Sequence, residues 1–192
     1  LAFAVLALLL LISSRQRPYA KLIILASLAS AVWALIGALA ALRSMPLVLV
    51  ESSELLRTAS WTILLLRIIE NRLREHHGSS PPWLRWYGVI LLALATYVLS
   101  APYWHAQSPV LHQLLQQASG LGMLLLAVIG LLLLENLFRN TPSEERWAIK
   151  LLCLGLGLLY AYDFYLYADA LLFQQMSPAL WTARGAVNTL AV

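Results

Sequence analysis

The chain is 192 residues long, 61% apolar and 11% charged, with a mean hydropathy of +0.76 and a net charge of +4. That profile lies far from a water-soluble domain, and the longest polar run, 70–82, has the length of a loop. The single cysteine, Cys153, excludes an internal disulfide, and its apolar surroundings make it a small packing residue.

Taken in chain order, apolar windows fall at 1–12, 19–42, 47–69, 83–100, 113–138, 147–173 and 180–192. They predict an all-α fold, a polytopic integral membrane helical bundle of about seven transmembrane segments that forms one domain over 1–192. A span needs about 20 residues to cross the hydrocarbon, so the first and last segments are expected to be truncated. Segment 1–12 does not read as a signal peptide, because Arg15 and Arg17 follow the apolar stretch instead of preceding it.

Segment 19–42 repeats small residues every four positions, at Ala26, Ser30, Ala34 and Ala38, the pattern that lets helices approach closely in lipid. Segment 47–69 carries VESSELLRTASWT (50–62), which sets Glu51, Glu54 and Arg57 among hydroxyl side chains. Glu54 and Arg57 are three residues apart and can pair along one helix face. Glu51 has no such close basic neighbour and is expected near the outer end, within reach of water, Arg43 or Arg184. Structural glue between helices and a signal or ligand role are both open for this group. Gly120, Gly122, Gly155 and Gly157 further along are read as packing positions, since a GxG within an apolar helix lacks the strand and turn of a phosphate loop.

The stretch 160–173, YAYDFYLYADALLF, places two aspartates and four tyrosines in a segment otherwise apolar enough for lipid. Acids at membrane depth are costly and mark function or close helix packing. On helical spacing Tyr160, Asp163 and Tyr167 form one stripe, while Tyr162, Tyr165 and Asp169 form another on nearly the opposite face. Both stripes are expected to face protein or water, which places the segment inside a bundle. Glu51, Glu54, Arg57, Tyr162, Asp163, Tyr167, Asp169 and Arg184 are therefore the candidates for binding a ligand or carrying a signal, gathered near the outer leaflet.

Basic residues fix the expected orientation, because they are retained on the cytoplasmic side of spans. The connections 13–21, 67–85 and 139–150 hold ten Lys and Arg, and the alternate ones hold only Arg43 and Arg184. The amino end is thus expected outside and the segment from 180 is expected to run inward, in a bacterial inner membrane. These loops would lie against anionic headgroups and account for the net charge, so lipid and not nucleic acid is the expected partner.

Ile69-Glu70-Asn71 and Leu134-Glu135-Asn136 match at a spacing of 65, each followed by an arginine and then by a tryptophan, Trp83 or Trp147. Duplicated hairpins would produce this, and similar polar caps at two helix ends produce it more simply. His76 and His77 fall in a basic loop; His105 and His112 lie in an outer connection without a nearby acid or thiol, so no metal site is expected. No GxSxG, HExxH or CxxC is present and no catalytic residue is assigned.

ENLFRNTP (135–142), RWAIKLLCLGLG (146–157), YDFYLYADALLF (162–173) and LWTARGAVNTLAV (180–192) together resemble the membrane region of the PEP-CTERM/exosortase-associated sensor histidine kinases of the PrsK type. The similarity is densest over 135–192. In that family the multispan region precedes a cytoplasmic GAF-like domain and a kinase core that phosphorylates a response regulator of exopolysaccharide and exosortase-sorted protein genes. The resemblance implies a homodimer, a response-regulator partner, and ATP and magnesium as cofactors of a kinase domain absent from this sequence. The segment itself is expected to hold no cofactor. The residues alone also fit a small-solute transporter or channel module, or a structural anchor.

Overall fold

A computed structural model describes Phe3, Val5, Leu8 and residues 19–43, 45–77, 83–104 and 109–190. The described chain is all-α: α1 (Ala20–Leu42), α2 (Leu47–His77), α3 (Trp83–Trp104), α4 (Pro109–Arg139), α5 (Ser143–Phe173) and α6 (Pro178–Leu190). The expected segment 1–12 lies almost wholly outside the described residues. Ala20–Leu42, Gln117–Arg139 and Ile149–Phe173 are long and apolar enough to cross a membrane, and Trp86–Tyr97 is a shorter apolar stretch. These helices mark a membrane protein.

Most of each apolar helix is unburied. On α1, Leu25, Leu28, Val32 and Leu35 are exposed, and on α5 Leu151, Leu154 and Leu158 are. Contiguous apolar faces of this extent are not tolerated in water and are the natural contact surface of lipid tails. α2 is different: Glu51, Glu54, Arg57, Arg67 and Glu70 interrupt it, so it needs more shelter from its neighbours. α6 is described over 13 residues, about 20 Å.

The chain divides into two compact units, 1–119 and 120–192. In the first, α2 packs along α1 and, less extensively, α3. Three contacts fix the α1–α2 register: Asn71 Nδ2 donates to Tyr19 Oη at 3.1 Å, Trp61 Nε1 donates to Ser30 Oγ at 2.9 Å, and the Arg57 guanidinium lies 4.5 Å from the Trp33 ring centroid. Fourteen residues along α1, from Tyr19 to Trp33, match fourteen back along α2, from Asn71 to Arg57. The two helices are therefore antiparallel and in step over about 21 Å. Ala26 and Ser30 of the small-residue stripe are fully buried at this contact, whereas Ala34 and Ala38 are exposed. The stripe thus serves packing within the described residues only along its first half.

Hydroxyls on α2 turn back on their own helix: Ser53 Oγ donates to the Val50 carbonyl at 2.8 Å, Ser60 Oγ to Leu56 at 2.7 Å and Thr62 Oγ1 to Thr58 at 2.8 Å. This satisfies donors where no water is at hand. Trp61→Phe keeps the ring and loses the interhelical bond to Ser30. An unfolding titration in detergent should show a loss of about 0.6 to 1.7 kcal/mol, the range of hydrogen bonds between membrane helices.

The two matching tripeptides have different surroundings. Glu70 is buried and accepts from Arg67 at 3.1 Å, and Asn71 bonds Tyr19; Glu135 and its partner Arg139, at 3.3 Å, are both exposed. Equal sequence here meets unequal packing, which favours end caps over a repeated hairpin.

Candidate functional site

The second unit is organised by α5. Its stripe of Tyr160, Asp163 and Tyr167 is buried, at 2%, 4% and 6% exposure. Gln174 ends the helix in a left-handed conformation, φ 53° and ψ 25°, a turn that costs a non-glycine residue about 1 to 2 kcal/mol. The chain then reverses, and Pro178 opens α6, where its fixed φ suits a first helical position.

The reversal brings Arg184 against Asp163. Arg184 Nη2 and Nε both donate to Asp163 Oδ1, at 2.8 and 3.2 Å, and Arg184 is 1% exposed. Its guanidinium also lies 5.3 Å from the Trp181 ring centroid and 5.7 Å from that of Tyr167. Aromatic faces attract a cation electrostatically, so two rings and a carboxylate all favour the same charge. Tyr162 Oη donates to the Leu180 carbonyl at 2.6 Å, and Asn188 Nδ2 donates to the Arg184 carbonyl at 2.8 Å. The bonds from Arg184 to Asp163 and from Tyr162 to Leu180, with the Arg184–Tyr167 contact, clasp α6 to α5, while Asn188 and Trp181 brace Arg184 from within α6.

Asp163 precedes Phe173, the end of the apolar stretch, by ten residues. That is about 15 Å along the axis, near the middle of a hydrocarbon layer about 30 Å thick. Two charges at that depth persist only as a hydrogen-bonded pair.

The second expected stripe behaves differently. Tyr165 is 55% exposed and Tyr162 and Asp169 are half-buried, so only one face of α5 is fully sheltered by protein. Both stripes were expected to face protein or water; α5 packs with α4 and α6 on one side and leaves Tyr165 on the other uncovered by protein. Asp169 stands only four residues from Phe173, about 6 Å from the end of the span, where headgroups and water come within reach.

Glu51, Glu54 and Arg57 belong to the first unit. Glu54 and Arg57 are buried at 4% and 2% exposure on the face of α2 that meets α1, and Glu51 is half-buried. Trp33, Asn188 and the Tyr19–Asn71 bond were not among the expected features. Asn188 alone carried a legible sign, as an amide four residues from Arg184 in a short apolar helix; Trp33 has no sequence mark that separates it from a lipid-facing tryptophan. Among the described residues no group of three or more His, Cys, Asp or Glu could hold a metal ion. The contacts of the site are those of charge recognition and helix clasping. No protein-family model, curated protein or solved structure matches the chain.

Proposed function

We propose that this chain is the membrane-embedded sensory or anchoring module of a bacterial two-component sensor histidine kinase that regulates exopolysaccharide and exosortase-sorted protein genes. Two things support the reading: the resemblance of 135–192 to the membrane region of such kinases, and the buried Asp163–Arg184 pair. The pair is the observation that carries it. A charge pair that fastens α5 to α6 gives the helix preceding a cytoplasmic output domain, in the family resembled, two distinct states, clasped and released.

In this reading the chain is a seven-span bundle in the inner membrane with its amino end outside. It works as a homodimer, and an ATP- and magnesium-dependent kinase core elsewhere in the parent protein passes the signal to a response regulator. A ligand or envelope partner acts by binding one arrangement of α5 and α6 better than the other, since only a difference in affinity shifts the balance. Asp163→Asn in the full-length kinase, produced at normal level in the membrane, should change the output of a regulated reporter severalfold. Unchanged output would remove the pair from signalling.

The buried Glu54 and Arg57 favour a second reading, a small-solute transporter or channel module, because polar groups inside a bundle also line solute paths. Uptake by vesicles containing the purified protein would support that reading and leave the kinase without its evidence. Persistence of regulation after exchange of the whole module for an unrelated span would reduce it to an anchor.

A further inference from the structure

The open face of α5 carries two polar groups that its own chain does not satisfy. Tyr165 is 55% exposed and stands eight residues, about 12 Å, short of Phe173, the end of the apolar stretch. Its hydroxyl has no hydrogen-bond partner among the described residues. Asp169, one turn further on and half-buried, is in no ion pair among the described residues. At a spacing of four the two side chains are neighbours on one helix face. Lipid tails satisfy neither group, so this face calls for a neighbour that can.

α1 carries the complement. Arg43 follows Leu42, the last residue of the helix; it is exposed and likewise in no ion pair among the described residues. Below it Ala34, Gly37 and Ala38 are exposed, and nothing lies within 4 Å of a Cβ added at Gly37. In the topology proposed above, Leu42 and Phe173 are both outer ends, so depth is counted from them on each helix. Ala34 is eight residues below Leu42, the depth of Tyr165, and Ala38 is four below, the depth of Asp169. Arg43 stands five residues above the level of Asp169, about 7.5 Å, a gap that its long stem covers.

We infer that two copies of this chain associate in the membrane through these surfaces: Tyr165 and Asp169 on α5 of one copy dock on the outer half of α1 of the other, and Asp169 pairs with the partner's Arg43. The inference rests on the topology and the homodimer of the proposed function and adds the interface. The argument for a second copy is charge complementarity within one sequence. The chain carries both the acid and the cation, so a two-fold axis makes the same contact twice and leaves neither charge over. Small side chains on α1 let the helices approach closely and keep its carbonyls within reach of the Tyr165 hydroxyl.

The test uses Cys153→Ala chains in liposomes of phosphatidylcholine and phosphatidylglycerol, some bearing Ala41→Cys and others Leu172→Cys, two exposed positions at equal depth. Oxidation should join the mixed chains into covalent dimers severalfold more than it joins either kind alone. Arg43→Glu or Asp169→Arg, introduced into both kinds, should lower that yield about fivefold for each ion pair lost. The two reversals together should restore it, because the charges exchange places. Yields are compared among chains that keep the helicity of the unaltered protein, and photobleaching counts the subunits in each particle. The interface falls if particles hold two subunits yet the mixed chains do not join, if a single reversal leaves the yield intact, or if the double reversal fails to restore it. One subunit per particle throughout overturns the homodimer of the proposed function as well, so the two failures are told apart.

Discussion

Asp163→Ala should destabilise the second unit by about 3 to 5 kcal/mol, the cost of leaving one member of a buried ion pair without the other. The guanidinium of Arg184 is 1% exposed and held on a single carboxylate oxygen, so the substitution strands a cation that cannot shed its charge in any accessible pH range. Arg184→Ala should cost less, because a lone carboxylate can become neutral by binding a proton. Removing both, as in Asp163→Leu with Arg184→Met, should return most of the loss, since apolar replacements of similar volume are often as stable as the pair. Reversible unfolding in a mild detergent, followed by helicity, orders the three. Equal costs for the two single changes, or a double change as damaging as their sum, would mean that the charges act separately and that the clasp between α5 and α6 has another origin. The same ordering should appear in the rate at which a protease cuts the already exposed turn at 174–177, because release of α6 lets its backbone unfold into a protease site.

Much of this arrangement is legible from residue order because lipid imposes simple conditions. Apolar length alone marks the helices at Ala20–Leu42, Gln117–Arg139 and Ile149–Phe173, and the cost of acids at depth alone marks Asp163 and Glu54 as sheltered. What resists reading is which neighbour does the sheltering. Residue order offers Arg184 only as a possible neighbour of Glu51, and it is the reversal at Gln174 that brings it to Asp163. Helical periodicity likewise finds two polar stripes on α5 yet says nothing of which meets protein, and the structure buries Tyr160, Asp163 and Tyr167 while leaving Tyr165 open.

Gly130 is the packing position that spacing failed to single out, and Gly130→Ala should cost about 1 to 3 kcal/mol as an overpacked contact. A Cβ added there would lie 2.5 Å from Cδ1 and Cε1 of the Tyr160 ring and 2.7 Å from Cζ, closer than unbonded carbon atoms approach. The ring has little freedom to retreat, since Tyr160 is 2% exposed and shares its helix face with the clasped Asp163. α4 and α5 run in step here: Gly120 faces Leu171 and Gly157 faces Leu134 at 3.3 to 3.4 Å from their own added Cβ positions, ordinary contacts or nearly so. The clash is therefore local to one ring. In a Tyr160→Ala background the methyl group at 130 fills space that the ring has left, so Gly130→Ala should there be neutral or favourable, a coupling of at least about 1 kcal/mol between the two sites. Gly37→Ala is the control: nothing lies within 4 Å of its added Cβ, and alanine is the better helix former by roughly 1 kcal/mol. If Gly130→Ala behaves like Gly37→Ala in detergent unfolding, the ring of Tyr160 does not rest on α4, and the face that carries Asp163 is less tightly sheltered than its burial implies.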